Sequence, residues 1–452
     1  MRIRPSNSRH KGEQGIIITL IAIFMLFVVG AMAALSIDVV TFYTARSEAQ
    51  IAADSAALAA ARVLANSGMT SSSGGTFPVD LATIVATQVA QQNLIGGNPP
   101  QITVTFGNIN ASQALNNPRV TVKVTRSDLP TFFARIWGTK TVSVSASATA
   151  ETYNPSGLAS NGSNGGDALP VASSCVKPWL LPNIDPSPTA NANGYIFDPA
   201  SGAIQDPGLL GFTSPTPVAD KTSLHSACGG DCSGGLSSPS PWQYFPADFS
   251  QGNIIQATTA SVSCLGGSRF TQYQLNVAGC VQTPIACGPN NANIVDNLYI
   301  DTTTDYSGAN RDLDTAFAVD NCLTHTAGAR GSGVPPPPGD SVAPNNSPPF
   351  QFLAGTQNPM VPTSLAGSDI LTSDSLVTVP VFDSRNLANP VQVIGFVQLF
   401  LEPTGYHVDF TNMIPTTVTN MVGCGTNASG TPVYGNGPSA VPVRLISNSP
   451  AN

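Results

Sequence analysis

From Ile16 to Ile37 the chain reads IIITLIAIFMLFVVGAMAALSI, 22 residues without a charge. As a helix rising ~1.5 Å per residue this is about 33 Å long, enough to cross a hydrocarbon layer of about 30 Å. Arg2, Arg4, Arg9 and Lys11 precede it, and the first acidic residue after it is Asp38. Basic residues mark the cytoplasmic side of a span. Residues 1–15 are therefore expected to be a cytoplasmic tail, 16–37 a transmembrane helix, and everything after Asp38 is expected outside. The basic start and Ala31-Met32-Ala33 would also suit a cleaved signal peptide. However, signal h-regions run about 7–15 residues, and this apolar run is longer, so a retained anchor is expected.

Beyond the span, Ala45, Ala49, Ala52, Ala53, Ala56 and Ala60 recur every three to four residues, which puts small side chains on one helix face. Residues 38–65 are expected to be an Ala-rich helical stalk continuing the span, about 75 Å in all from Ile16 to Ala65. Small residues let another helix approach closely, and Gly30 and Ala34 have the same spacing inside the span. Ala49, Ala52, Ala53, Ala56 and Ala60 thus form a candidate helix-docking face. Its occupant is either a partner helix or the protein's own next domain.

The stretch from about residue 13 to 61 carries EQG before the span, SIDVV after it, then Tyr43 and ARSEAQIAADSAALAAA. It resembles the N-terminal domain of TadE/TadG-like Flp pilus-assembly proteins. The motif positions are Gly15, Asp38, Tyr43, Gln50 and Asp54, with Ala52, Ala53, Ala56, Ala57, Leu58 and Ala59 in the alanine run. Ile51 and Ser55 depart mildly from the pattern. VTVKVTRSDLPTFFARIWGTKTVSVSASATAE, Val120–Glu151, is similar to the segment that follows in TadG-like proteins. CVKPW (Cys175–Trp179), Val377–Asp383 and Val393–Leu401 look like parts of longer Tad-linked proteins. The resemblance implies a bacterial inner-membrane protein, not an enzyme, that works with an extracellular fibre. Clipped prepilin-like members carry Glu at the fifth position from Gly. Here that position is Leu20, so no prepilin cleavage is expected.

The remaining text favours strands and loops. Of 452 residues only 10% are charged, against about 25% in a typical soluble domain. Residues 1–152 hold 11 basic and 7 acidic side chains, and residues 153–452 hold 7 and 19. An acidic outer region argues against nucleic acid and anionic lipid as its partners. All eight Cys lie there, namely Cys175, Cys228, Cys232, Cys264, Cys280, Cys287, Cys322 and Cys424. An even number confined to the outside reads as a disulfide framework. The alternative is a set of buried thiols, and the pairing is not legible.

Residues 66–76 read as a Gly/Ser linker. Residues 77–152 read as a small α+β module. It has a helix from Pro78 to about Leu94, strands at 101–107, 119–126 and 141–150, and a short helix Leu129–Trp137 closed by Gly138. Phe132, Phe133, Ile136 and Trp137 are expected in its core. Residues 153–168 form a second linker. Residues 169–452 read as a β-rich, disulfide-bonded extracytoplasmic domain. Its clearest strands are the alternating Leu376–Asp383 and the near-continuously apolar Val391–Leu401, which suits burial on both faces. Pro335–Asp340 (PPPPGD) reads as an exposed polyproline-like loop.

Catalytic signals are sparse. The four His are His10, His225, His325 and His407, and no nucleophile elbow, HExxH helix or P-loop occurs. HSACGGDC, His225–Cys232, lacks the paired spacing of a zinc site. Asp301, Asp305, Asp312 and Asp314, with Asp320 nearby, are weak Ca²⁺ candidates, but they match no EF-hand loop. No cofactor and no small-molecule substrate are expected. The expected partners are the bilayer and other pilus-assembly or pilin-like membrane proteins. The expected function is a structural component of a Flp (Tad-type) pilus or related secretion machine. Two alternatives stand beside it, a Ca²⁺-binding adhesin or envelope-binding module on an anchor, and a secreted enzyme after signal cleavage.

Overall fold

The computed structural model describes residues 11–68, 77–107, 117–154, 170–187, 194–211, 224–226, 239–246, 264–265, 272–280, 284–287, 311–326, 338–343, 348–387, 391–403, 413–428, 431–435, 439 and 441–446. They open with helix α1 (Lys11–Asn66) and helix α2 (Phe77–Gln92). Strands β1 (Gln101–Gly107), β2 (Arg119–Pro130) and β3 (Thr141–Thr152) follow. Next come β4 (Val171–Ser173), β5 (Trp179–Pro182), β6 (Leu224–Ser226), β7 (Gln243–Pro246) and β8 (Ile285–Ala286). The last strands are β9 (Ser341–Val342), β10 (Phe352–Leu353), β11 (Leu376–Phe382), β12 (Val393–Leu401), β13 (Met413–Ile414), β14 (Thr416–Gly423), β15 (Val433–Tyr434) and β16 (Val443–Ile446). The chain forms two compact units. The first is Met1–Ala56, Thr87–Val104 and Val122–Ala148; the second is Ala57–Ala86, Thr105–Thr121 and Thr149–Asn452.

α1 is one unbroken helix of 56 residues. It ends at Gly68, whose φ of 79° is the left-handed geometry that glycine adopts at little cost. The Gly68 amide donates to the Ala65 carbonyl at 3.1 Å and the Ser67 amide to Val63 at 3.1 Å, closing the last turn. α2 begins as expected, with Pro78 near its start and Asp80 in the first turn, where the helix dipole favours an acid.

β1 matches its expected bounds, and β2 and β3 run longer than expected. β1, β2 and β3 are neighbours in a sheet that β16 extends beside the Thr149–Thr152 end of β3. The expected helix Leu129–Trp137 is corrected. β2 continues to Pro130, and only a 3₁₀ turn, Ala134–Trp137, precedes Gly138 at φ 93°. The alternation of buried Val120, Val122, Val124 and Arg126 carries the strand forward, and Pro ends it where no further ladder amide is needed. Phe132 is corrected too. It is 62% exposed rather than in a core, because it sits on the turn after the strand. Phe133 is partly buried, and the side chains of Ile136 and Trp137 lie outside the described residues.

The second unit is built on a seven-stranded sheet of order β13-β6-β7-β5-β11-β12-β14. β11 and β14 flank β12, both antiparallel to it, and β5 runs parallel to β11. Every residue of β11, β12 and β14 is buried. One face, with Val379, Val397 and Leu399, packs with Tyr273, Val277, Ala316 and Val319 from the helices Gln272–Ala278 and Arg311–Ala318. The other face carries Phe382, Val393, Phe396 and Val422, and Ala65 of α1 belongs to the same cluster. β12 therefore has the two-sided burial its text suggests. β11 has it as well.

Disulfides join Cys175 to Cys280, Cys264 to Cys322 and Cys287 to Cys424. Cys228 and Cys232 lie outside the described residues. Gly339 and Asp340 are buried, not exposed. The Asp340 carboxylate accepts from the Gly355 amide at 2.7 Å, from the Asn358 amide group at 2.9 Å and from the Ser373 hydroxyl.

Candidate functional site

α1 changes surroundings along its length. Ile16, Ile18, Leu20, Phe24, Leu26 and Phe27 are between 63% and 75% exposed. Gly15–Asn66 is long and apolar enough to cross a membrane by length and composition, and its most apolar window is 0% buried. From Ala45 onward the helix turns inward. Ala49, Ala52, Ala53, Ala56 and Ala60 are all fully buried within the chain. Of the two occupants that the alanine spacing allows, the protein's own fold takes this face.

Asp38 sits at the changeover in the first unit. Its side chain is buried, and its carboxylate accepts the backbone amides of Phe132 at 2.9 Å, Phe133 at 3.0 Å and Ala134 at 2.8 Å. A buried carboxylate is costly unless donors surround it. Here three orphan donors at the head of a 3₁₀ turn and one orphan charge satisfy each other. Further along, Glu48 accepts the Gly96 amide at 2.7 Å, and Asn93 donates to the Ser55 hydroxyl at 3.3 Å. Gln50 donates to Asp54 at 2.7 Å across one helical turn, so two motif positions form one pair. Tyr43 is 72% exposed, and the space beside Gly15 is open.

The C-terminal end of α1 is held in the second unit. The Asn420 side-chain amide, on β14, donates to the Ala65 carbonyl at 2.7 Å and to Gln398 Oε1, on β12, at 2.6 Å. The Phe350 amide donates to the Ser67 carbonyl at 2.8 Å, and Asn66 donates to the Leu371 carbonyl at 3.1 Å. A Cβ on Gly68 would stand 2.8 Å from the Thr419 carbonyl oxygen. The last carbonyls of a helix lack partners within it, and here Asn420 on the edge strand β14 and the Phe350 amide supply donors.

Residues 17–63 match the family model of putative Flp pilus-assembly TadE/G-like proteins. No curated protein and no solved structure matches the chain. The matched segment lies wholly on α1. It spans the exposed apolar half of α1 and nearly all of its buried alanine half, and stops just short of the residues gripped by Asn420 and Phe350.

The other expected positions scatter. CVKPW is a brace within the second unit. Cys175 bonds to Cys280, Lys177 Nζ donates to the carbonyls of Val277 (2.8 Å) and Gly279, and Trp179 Nε1 donates to the Tyr273 hydroxyl at 3.2 Å. Burial pushes the Lys177 ammonium down to about 8, with Asp374 opposing. Its two acceptors lie at the C-terminal end of the helix Gln272–Ala278, where a cation is favoured. Asp301 and Asp305 lie outside the described residues, as do the side chains of Asp312 and Asp314. Asp320 is buried, and its carboxyl is pushed up to about 7 by burial, with the Thr326 hydroxyl opposing. Among the described residues, no group of three or more His, Cys, Asp or Glu could hold a metal ion. His10 and His407 lie outside them, His225 is on β6, and His325 Nε2 lies 3.0 Å from Asp374.

Sequence reasoning missed the grip on the helix end. Asn420 and Gln398 are polar residues in strand text, and no local pattern announces that Asn420, paired with Gln398, donates to a helix carbonyl 355 positions away.

Proposed function

We propose that this chain is a membrane-anchored structural component of a Flp (Tad-type) pilus or a related secretion machine. Its N-terminal tail faces the cytoplasm, and the residues after Asp38 lie on the outer side of a bacterial inner membrane. One observation carries the reading. The family match falls on a helix that leaves its large apolar side chains open for 22 residues and then buries its small ones in the protein's own fold. An anchor that continues into a folded body fits a mechanical task.

Because the alanine face is filled from within, contact with pilin or assembly helices falls to the open side of the span. Gly30 is the natural point of approach. It is exposed, with nothing within 4 Å of where a Cβ would stand. Small residues on such a surface let helices pack closely in lipid. In the native host, deletion of the gene should abolish surface pili, and Gly30→Leu should reduce them while protein level and membrane recovery stay unchanged. Normal piliation in the deletion strain would overturn the assembly role, and normal piliation with Gly30→Leu would remove the docking point.

A further inference from the structure

The cover on α1 extends below Asp38. Ala34, one turn toward the N-terminus on the same face, is 7% exposed. Ala31 and Val28, further along that face, are still partly buried. At the same height on other faces, Val29, Met32, Leu35 and Val40 are between 57% and 67% exposed. At ~1.5 Å per residue, Ala31 lies about 10 Å nearer the bilayer centre than Asp38. The cover on this face of α1 therefore extends at least one turn below Asp38. The element fixed at this level is the β2–β3 connection, Thr131–Lys140, tied to Asp38 by its three amides.

We infer that this connection is seated in the interfacial zone of the outer leaflet, with Phe132 in contact with lipid. The inference rests on Ile16–Ile37 being a bilayer span. Backbone polar groups leave water only when they are satisfied internally, and this tip meets that condition at the amides of Thr131, Phe132, Phe133, Ala134, Gly138 and Thr139. Besides the three amides on Asp38, the Thr131 amide donates to the Lys140 carbonyl at 3.3 Å. The Gly138 amide donates to Arg135 at 3.0 Å and the Thr139 amide to Ala134 at 3.2 Å. The Thr131 hydroxyl donates to the Thr139 carbonyl. Phe132, by contrast, is left open at the tip. An aromatic ring at the end of a span is the residue type that interfaces collect. Arg135 and Lys140 are exposed on the same tip, and their long stems allow the cations to reach lipid phosphates while the turn lies lower. Asp38 then has two tasks, since it ends the span and makes the neighbouring turn fit to enter lipid.

The test uses the full chain in vesicles of phosphatidylcholine and phosphatidylglycerol whose acyl chains are brominated at shallow or deep positions. Phe132→Trp and Ile23→Trp are made separately in a Trp137→Phe background. The remaining Trp179 and Trp242 are buried in the second unit and give a constant background. Phe132 is exposed, so its replacement leaves the fold intact, which the far-UV circular dichroism should confirm. The Phe132→Trp emission should fall about twofold with shallow bromines and less with deep ones, and Ile23→Trp should show the reverse order. Quenching of Ile23→Trp without Phe132→Trp would overturn the inference and leave the anchor standing. Quenching of neither would overturn both.

Discussion

The two halves of α1 meet opposite fates. Up to Val40 the large side chains are open, with Leu26 at 75% and Phe27 at 71% exposed. From Ala49 to Leu64 the small ones are hidden, with Ala49, Ala53, Ala57 and Ala61 all at 0%. Hydrophobicity alone therefore does not separate inside from outside on this helix. Where the surroundings are lipid, bulky Ile, Leu and Phe can face outward without penalty. Where the surroundings are the protein itself, Ala permits close backbone approach and contributes little rotamer entropy to lose.

The sharpest break of this contrast is the same substitution made on each half. Ala53→Leu and Ala56→Leu should each destabilise the folded protein by about 1–3 kcal/mol through overpacking, read as a fall in Tm. Ala33→Leu, on the open side of the span, should leave Tm unchanged. Equal effects at all three positions would erase the distinction. Next in size is Asn420→Ala, which leaves the Ala65 carbonyl and Gln398 Oε1 buried without that donor. A loss of about 1–3 kcal/mol is expected in denaturant unfolding, and a loss near zero would mean that the helix end is not held there.

A further contrast concerns pH and the second unit alone. Folded Asp320 holds its proton up to about pH 7, whereas the unfolded side chain releases it near 3.8. In that window the folded state binds more protons, so stability falls as pH rises from about 4 to about 7. Asp320→Asn should flatten this slope and raise stability above pH 7. An unchanged slope in urea titrations across this range would assign the dependence to other groups.

Much of this was legible beforehand. The long apolar helix, the alanine stripe, α2, β1 and the two-sided burial of β12 all follow from local periodicity and length. What escaped has a common physical cause, which is polar text satisfied by distant partners. Thr416, Thr417, Thr419 and Asn420 of β14 are at most 1% exposed, yet their composition reads as a surface segment. Buried Asp340 hides behind a proline run for the same reason. Asp38 marked the end of the span, but its three amide partners come from 94 to 96 residues downstream. At Leu129–Trp137 the aromatic cluster suggested a core helix. The turn's amides are instead spent on Asp38, leaving Phe132 outside.

The Ala65 carbonyl, bonded to Asn420 beneath the Phe396 side of the sheet, also limits how this protein can be taken apart. A protease that cut just after Ala65 would not release a finished second unit, because that piece would have lost part of its own interior. For the same reason, a recombinant fragment beginning at residue 169 would start life with a hole where Ala65 belongs. The second unit keeps the end of α1 as part of itself.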